Sequence, residues 1–247
     1  MMVLLPPSET KTAGGDGAPL KLDQLSFGKL RPVRRRLLTA LISLAADVPA
    51  SLAALGLSPR QTAEVARNAR LRRAPTLPAL ARYTGVLYDA LDVPSLSTAQ
   101  RRRADERLVV ASALFGLVRG GDPIPAYRLS AGSTLPGLGG LRRTWRPALE
   151  PLLRDRDELV VDLRSGAYAA LAPAPCAVAV RVLSTDAAGK RKAVSHHNKA
   201  YKGRLARELA RTVSEPATVH DLIMAARGAG ILLEQTGERE LDLHCDR

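Results

Sequence analysis

The chain has 247 residues, 46% of them hydrophobic, and its formal net charge is +13 at pH 7. A chain of this length can bury a sizeable core in one large domain or two small ones, and its composition excludes a disordered tail protein. The charge favours a polyanionic partner such as nucleic acid, nucleotides or anionic lipid. An arginine-rich surface without any partner is the alternative interpretation of the same charge.

The cysteines and the apolar segments indicate the cellular compartment. The two cysteines, Cys176 and Cys245, are far apart, which excludes a disulfide scaffold and a cysteine zinc site and fits a reducing compartment. The N-terminal segment lacks the basic region of a signal peptide, and no stretch reaches the roughly 18 apolar residues of a membrane helix. We therefore expect a cytoplasmic protein with no membrane segment. The histidines lack ligand spacing, so we expect no tight structural metal and no cofactor.

The first half of the chain predicts one strand, then mostly helices, then a second strand. The predicted elements, in chain order, are a strand over Met2–Leu5, a helical stretch over Pro32–Leu55, a basic helix from Ser58–Pro59 to about Arg73, a helical stretch over Leu77–Leu91 with a break at Thr84–Gly85, a short helix capped by Ser97, and a strand over Leu108–Val118.

The second half opens with an irregular segment, Gly120–Gly140, which is rich in glycine and proline. Because later strands alternate with helices while the hairpins are antiparallel, we predict an α+β fold with a mixed sheet, in a single compact domain over residues 1–247. The predicted elements are a helix over Trp145–Leu153, a buried strand over Glu158–Leu163, a short helix capped by Ser165, a hairpin of Cys176–Leu183 and Lys192–Ser195, helices over Asn198–Val213 and Val219–Arg227, and a last hairpin turning at Thr236–Gly237.

A polar loop directly follows the first predicted strand. It runs from Ser8 through Glu9 to Lys11. Ligand crevices open beyond the carboxyl ends of strands in α/β sheets, and a cation beside a carboxylate could hold a phosphate or an amine. An ordinary polar loop is the alternative, but we favour a binding role for Ser8 and Lys11.

Two further segments carry groups suited to an anion. Arg128 offers a planar set of donors for phosphate or carboxylate, and Tyr127 beside it could stack or donate a hydrogen bond. Structural bonds from Arg128 to loop carbonyls are the alternative. Ser165 and Tyr168 open a predicted helix whose free amides could bind an anion, although Ser165 could equally be a plain N-cap.

The densest candidate cluster comprises His196, Asn198, Lys199, Lys202 and Gly203. The two lysines fall at the start of a predicted helix, where cations oppose the helix dipole and are poorly placed for stability alone. That conflict favours an anionic partner at this end of the helix. Two solvated lysines on a surface helix are the alternative.

DNA contact is predicted at two other places. Gly85 lies in a turn between apolar helical stretches, which could form a helix-hairpin-helix whose amides meet a DNA phosphate, although such turns are common. The basic run of Arg67, Arg70, Arg72 and Arg73 suits a groove that binds the DNA backbone.

Five segments, in this order, resemble the YaaA family, which is named for its link to peroxide stress. They are LLPPSETK from Leu4, ARYTGVLYDAL from Ala81, SALFGLVRGGDPIPAYRL from Ser112, VVDLRSGAY from Val160 and SHHNKAYKGRLAR from Ser195. The resemblance covers nearly the whole chain. It implies a central mixed sheet wrapped by helices around a basic cleft, a role in peroxide stress with lowered free iron and DNA protection, and an affinity for DNA.

The chain departs from the family pattern in two segments. Many members begin with S-P-A-K-T, so the family lysine corresponds to Glu9 or to Lys11 here. Where other members carry an aromatic-rich segment before the paired lysines, this chain has His196–His197, which could alter the ligand.

Two classes of function fit these features. The first is a protein of the oxidative stress response whose basic cleft binds DNA or another phosphate-bearing ligand. The second is an enzyme acting on a small phosphorylated, nucleotide-like or nucleobase-like substrate in the same cleft, in a specialised metabolic pathway. The enzyme hypothesis predicts that Glu9, Tyr127, His196 and Lys199 converge in one enclosed pocket with perturbed pKa values.

Overall fold

The computed structural model describes residues 1–185, 191–193 and 197–245, with only the backbone described at 184, 185, 191–193 and 197. The helices are α1 (Arg31–Leu44), α2 (Val48–Leu55), α3 (Thr62–Ala69), α4 (Ala79–Arg82), α5 (Val86–Leu91), α6 (Thr98–Arg107), α7 (Leu141–Arg154), α8 (Gly166–Ala169), α9 (His197–Arg211) and α10 (Val219–Gly228). Single 3₁₀ turns lie at Gly28–Leu30, Pro59–Gln61 and Val93–Ser95.

The strands build one large sheet and two small ones. They are β1 (Met2–Leu5), β2 (Leu77–Pro78), β3 (Leu108–Ser112), β4 (Gly116–Arg119), β5 (Pro123–Ile124), β6 (Thr134–Leu135), β7 (Gly139–Gly140), β8 (Val160–Asp162), β9 (Val178–Thr185), β10 (Arg191–Ala193), β11 (Leu233–Gly237) and β12 (Glu240–His244). The order in the large sheet is β11-β12-β9-β8-β1-β3-β4, with β10 paired to β9. Short pairs β2-β5 and β6-β7 lie outside it.

The large sheet is mixed, as the sequence predicts. Strands β12, β9, β8, β1 and β3 are parallel, whereas β4, β10 and β11 pair antiparallel with their neighbours. Every residue of β1 and of β3 is buried, which is why β1, and β3 as far as Ala111, are continuously apolar rather than alternating. The prediction of an α+β fold with a central mixed sheet and helices is confirmed.

Two long helical predictions are wrong in their continuity. The stretch Pro32–Leu55 divides into α1 and α2, because Asp47 caps α2 with its carboxylate and the N1/N2 position of α2 is a proline. The basic helix predicted to reach Arg73 ends at Ala69. Leu77 and Pro78 are a short strand opposite β5 rather than helix.

The apolar segment Leu108–Val118, predicted as one strand, is the hairpin of β3 and β4. Its turn ends at Gly116, whose φ is 73°, a conformation that favours glycine. A Cβ there would lie 2.7 Å from the Trp145 ring. The last hairpin turns at Glu238–Arg239, because β11 extends through the predicted turn residues to Gly237.

Two observations bear on the predicted compartment. In the part of the chain that the structure describes, no helix is both long and apolar enough to cross a membrane. No disulfide joins Cys176 to Cys245, and the thiol of Cys176 donates to the carbonyl of Leu153 at 3.2 Å.

Candidate functional site

A cavity of about 550 Å³ opens beyond the carboxyl ends of β1 and β8, which are parallel neighbours. Ligand sites favour such a position, where the strand order reverses. We call this space the β1–β8 cavity. Its walls come from the loop after β1, the start of α5, the segment after β8 and the first turns of α9, and they comprise Pro6, Pro7, Ser8, Glu9, Thr10, Thr84, Gly85, Val86, Leu87, Tyr88, Leu163, Ser165, Tyr168, Asn198, Lys199 and Lys202.

The loop after β1 is held in place by its own side chains. The hydroxyls of Ser8 and Thr10 are 3.1 Å apart, and that of Thr10 donates to the carbonyl of Thr84 at 3.4 Å. The ammonium of Lys11 donates back to the carbonyls of Ser8 at 2.9 Å and Glu9 at 3.4 Å. Ser8 and Glu9 therefore face the cavity from a fixed loop, whereas Lys11 supports that loop and is not part of the wall.

Lys11 has an unusual electrostatic environment. Its Nζ lies 4.3 Å from the centroid of the Tyr127 ring and 5.4 Å from that of Tyr83. Burial lowers the pKa of Lys11 from 10.5 to about 8, the charge of Glu9 opposes this shift, and the charge of Arg128 adds to it. The amine is therefore a mixture of charged and neutral forms just above neutral pH.

Arg128 forms an ion pair with Glu9, which lines the cavity. Its Nη1 lies 3.1 Å from Oε2 of Glu9. The main chain of Arg128 is fixed from the other side by Asn68, which accepts from its N–H at 2.9 Å and donates to its carbonyl at 2.8 Å. Asn68 is not among the residues predicted from the sequence, although an asparagine inside a helix indicates that its amide serves another segment.

Tyr127 does not line the cavity. Its hydroxyl lies 2.9 Å from that of Tyr83 and 2.7 Å from that of Ser112, which accepts in turn from the N–H of Phe115. Burial raises the pKa of Tyr127 well above its usual value and raises that of Tyr83 to about 12. The hydroxyls of Tyr83, Tyr127 and Ser112 are therefore bonded to one another in the core. The two tyrosine rings support Lys11 from outside the β1–β8 cavity.

Lys202 lines the cavity, but its ammonium is already bound. It donates to the carbonyls of Leu163 at 3.0 Å and Arg164 at 3.4 Å, just beyond β8. Burial lowers the pKa of Lys202, and the nearby charge of Asp162 opposes that shift. Lys202 therefore anchors α9 to the end of β8, with two of its three donors engaged.

The first turn of α9 brings two side chains to the cavity. Lys199 is exposed on the wall. Beside it, Oδ1 of Asn198 is buried and has no hydrogen-bond partner among the residues that the structure describes. His196, the remaining candidate of this cluster, lies outside the described residues.

Ser165 and Tyr168 also line the cavity. The hydroxyl of Ser165 does not cap α8, whereas its carbonyl accepts from the N–H groups of Tyr168 and Ala169. Helix α8 has four residues, too few for an anion site on its dipole. Burial raises the pKa of Tyr168, and the charge of Glu9 adds to this shift.

The two candidate glycines have different surroundings. Gly85 has a φ of 99° and lines the cavity, where an added Cβ would lie 3.4 Å from Oγ of Ser8. Gly203 is outside the cavity wall, where an added Cβ would lie only 2.2 Å from the carbonyl oxygen of Leu87. The glycine at 203 therefore allows α9 to pack closely on α5.

The candidate DNA-contacting arginines lie elsewhere. Arg67 and Arg70 line a shallow depression of about 340 Å³, and Arg67 pairs there with Glu64. Arg72 and Arg73 are exposed just beyond α3, and Arg72 donates to the hydroxyl of Thr39 at 3.1 Å. Gly85 therefore does not share a surface depression with this group.

Comparison with known proteins identifies the family. The family model described as peroxide stress protein YaaA matches residues 1–227. A UPF0246 protein from Corynebacterium efficiens is 49% identical over 95% of both chains, and one from Corynebacterium glutamicum is 44% identical over 95% of both. A UPF0246 protein from Streptomyces coelicolor is 46% identical, over 95% of this chain and 92% of the relative. The chain belongs to the YaaA family of proteins associated with peroxide stress.

Proposed function

We propose that the β1–β8 cavity binds a small phosphate-bearing ligand, and that this binding is the molecular activity behind the association with peroxide stress. The observation that carries the proposal is the position of α9. The N-terminal turn of this 15-residue helix, with the exposed Lys199, lines the cavity. Helix N-termini carry a partial positive charge and are common phosphate sites.

The size and charge of the cavity support a small anion. About 550 Å³ is within the usual range for small-molecule pockets, and too small for duplex DNA to enter. The carboxylate of Glu9 is compensated by Arg128, so it does not repel an incoming anion strongly. Lys199 supplies a mobile cation, while Lys202 fixes the position of the helix through carbonyls.

Calorimetric titration with ribose 5-phosphate and pyrophosphate tests this proposal. A charged hydrogen bond contributes about 1.5–3 kcal/mol, so Lys199→Ala should weaken binding at least about tenfold. The control is Lys21→Ala, at an exposed lysine outside the cavity, which should bind like the wild type. If Lys199→Ala binds the probes as tightly as the wild type, the phosphate of the ligand does not contact Lys199.

DNA binding is a second candidate, carried by a different surface. Arg70, Arg72 and Arg73 are exposed together beyond the end of α3. Each arginine that contacts a phosphate should contribute about one unit to the slope of log affinity against log salt. Duplex binding by Arg70→Ala and Lys199→Ala across a salt series separates the two sites, because this proposal predicts a reduced slope only for Arg70→Ala.

Catalysis is the alternative for the cavity itself. It is favoured by Glu9 and Lys199, which both line the cavity, and by the lowered pKa of Lys11 in the loop after β1. Tyr127 contributes only through the support beneath Lys11, because its hydroxyl is bonded to Tyr83 and Ser112. Mass spectrometry of nucleoside phosphates incubated with wild type and with Glu9→Gln tests for turnover. Product that forms only with the wild type would favour the enzyme.

A further inference from the structure

One atom of the β1–β8 cavity lacks the bond that its burial demands. Oδ1 of Asn198 is buried and without a hydrogen-bond partner within residues 1–185, 191–193 and 197–245. Nearly all buried polar groups in proteins are paired, and an unpaired acceptor loses its hydration without compensation. Because Asn198 lines the cavity, a bound molecule can supply the missing donor.

No donor among the residues that the structure describes reaches Oδ1 of Asn198. The ammonium of Lys202, one helical turn from Asn198, is directed at the carbonyls of Leu163 and Arg164. In the loop after β1, the hydroxyls of Ser8 and Thr10 are bonded to each other. The acceptor on Asn198 therefore selects a ligand that brings its own N–H or O–H.

The walls of the cavity select the shape of that ligand. Tyr88 and Tyr168 line it together with apolar residues such as Leu163. The ring of Tyr88 stacks on that of Tyr83, with centroids 5.4 Å apart, and its hydroxyl is fixed on the carbonyl of Pro6 at 2.8 Å. A wall of fixed aromatic and aliphatic residues favours a flat, apolar ring over a sugar.

We infer that the ligand of the β1–β8 cavity carries a nucleobase, and that an N–H of the base donates to Oδ1 of Asn198. This inference rests on the proposed function, which assigns the phosphate of the same ligand to Lys199. Asn198 and Lys199 are adjacent at the start of α9, so one turn of helix contacts both ends of a nucleotide. Every common base presents at least one N–H on its hydrogen-bonding edge.

The test compares three kinds of probe by calorimetry: the four common ribonucleosides, their 5′-monophosphates, and ribose 5-phosphate. A nucleotide should bind at least about tenfold more tightly than ribose 5-phosphate, because stacking and the Asn198 bond are added. Asn198→Ala should weaken the binding of nucleosides and nucleotides about tenfold and leave the affinity for ribose 5-phosphate unchanged. Asn198→Asp retains the acceptor and should retain nucleoside binding. Gln235→Ala, on β11, is the control variant, and circular dichroism checks that each variant folds.

The outcomes separate this inference from the proposed function. If nucleosides bind through Asn198 and the phosphate adds no affinity, the nucleobase inference stands and the phosphate proposal fails. If ribose 5-phosphate binds as tightly as the nucleotides and Asn198→Ala has no effect, the phosphate proposal stands and the nucleobase inference fails. If no nucleoside or nucleotide binds, the nucleobase inference is overturned.

Discussion

Nη1 of Arg128 lies 3.1 Å from Oε2 of Glu9, which joins the loop after β1 to the segment after β5. The pair does more than connect two segments, because its two charges act on Lys11 in opposite directions. The carboxylate of Glu9 raises the pKa of Lys11 and the guanidinium of Arg128 lowers it. The protonation of a lysine behind the cavity wall therefore depends on an ion pair at the edge of the cavity.

Variants of this pair should move the pKa of Lys11 in opposite directions. In Glu9→Gln the favourable charge is lost, so the pKa should fall below about 8. In Arg128→Met the unfavourable charge is lost, so the pKa should rise toward 10.5. The measurement is an NMR titration of the lysine side chains, with Asp16→Asn as the control. Shifts of the same sign in both variants would contradict the assignment of these two charges.

The lowered pKa of Lys11 predicts a pH dependence of stability. The folded value is about 8 and the usual value is 10.5, so between these pH values the unfolded chain binds more protons than the folded one. The free energy of unfolding should therefore rise with pH across this window, by up to roughly 3 kcal/mol. Below pH 8 the contribution is constant and unfavourable.

Lys11→Met provides the reference for this measurement. The variant loses the bonds to the carbonyls of Ser8 and Glu9, which changes its stability by a nearly constant amount at every pH. Urea unfolding of both proteins from pH 7 to pH 10.5 should therefore give a difference that moves in favour of the wild type as pH rises. A difference independent of pH would show that burial does not penalise the charge.

Lys199 and Lys202 should differ in their effect on stability. Lys202→Met leaves the carbonyls of Leu163 and Arg164 without their donor, which should cost about 1–3 kcal/mol. Lys199→Met removes an exposed cation near a helix N-terminus and should change stability by less than about 0.5 kcal/mol. Urea unfolding of both variants at pH 7 measures the contrast. Equal effects would mean that the anchor at Lys202 is not formed.

The sequence predicts the sheet better than it predicts the breaks between elements. Strands β1 and β8 could be recognised because a buried parallel strand is continuously apolar. The division of β3 from β4 depends on the close approach of Gly116 to Trp145, which joins distant parts of the chain. The sequence shows the glycine at 116, but it does not show that the Trp145 ring packs against it. The short strand at Leu77–Pro78 likewise depends on its distant partner, β5.

The candidate site could be predicted in outline only. Ser8 follows from the rule that ligands bind beyond the carboxyl ends of parallel strands, whereas Ser165 and Lys199 follow from their positions at the start of predicted helices. The partners of Lys202 could not be predicted, because they are main-chain carbonyls, which every residue carries. The support that Asn68 gives to Arg128 is also made through the main chain.

The contact between α5 and α9 predicts the effect of a single methyl group. In Gly203→Ala the new Cβ would lie 2.2 Å from the carbonyl oxygen of Leu87 and 2.9 Å from Cβ of Ala90. The carbonyl oxygen of Leu87 is part of the backbone of α5, and Cβ of Ala90 is bonded directly to that backbone, so neither atom can rotate away. The helices must separate, and overpacking of this kind costs about 1–3 kcal/mol.

Gly166→Ala is the matched control for this substitution. Gly166 begins α8, and an added Cβ there meets nothing within 4 Å. Alanine is also the better helix former, so Gly166→Ala should leave stability unchanged or raise it by up to about 1 kcal/mol. Urea unfolding should therefore show a loss of stability for Gly203→Ala and none for Gly166→Ala. Because α9 carries Asn198 and Lys199, Gly203→Ala should also weaken ligand binding at the cavity. A Gly203→Ala protein as stable as the wild type would show that α9 does not pack on α5 at this distance.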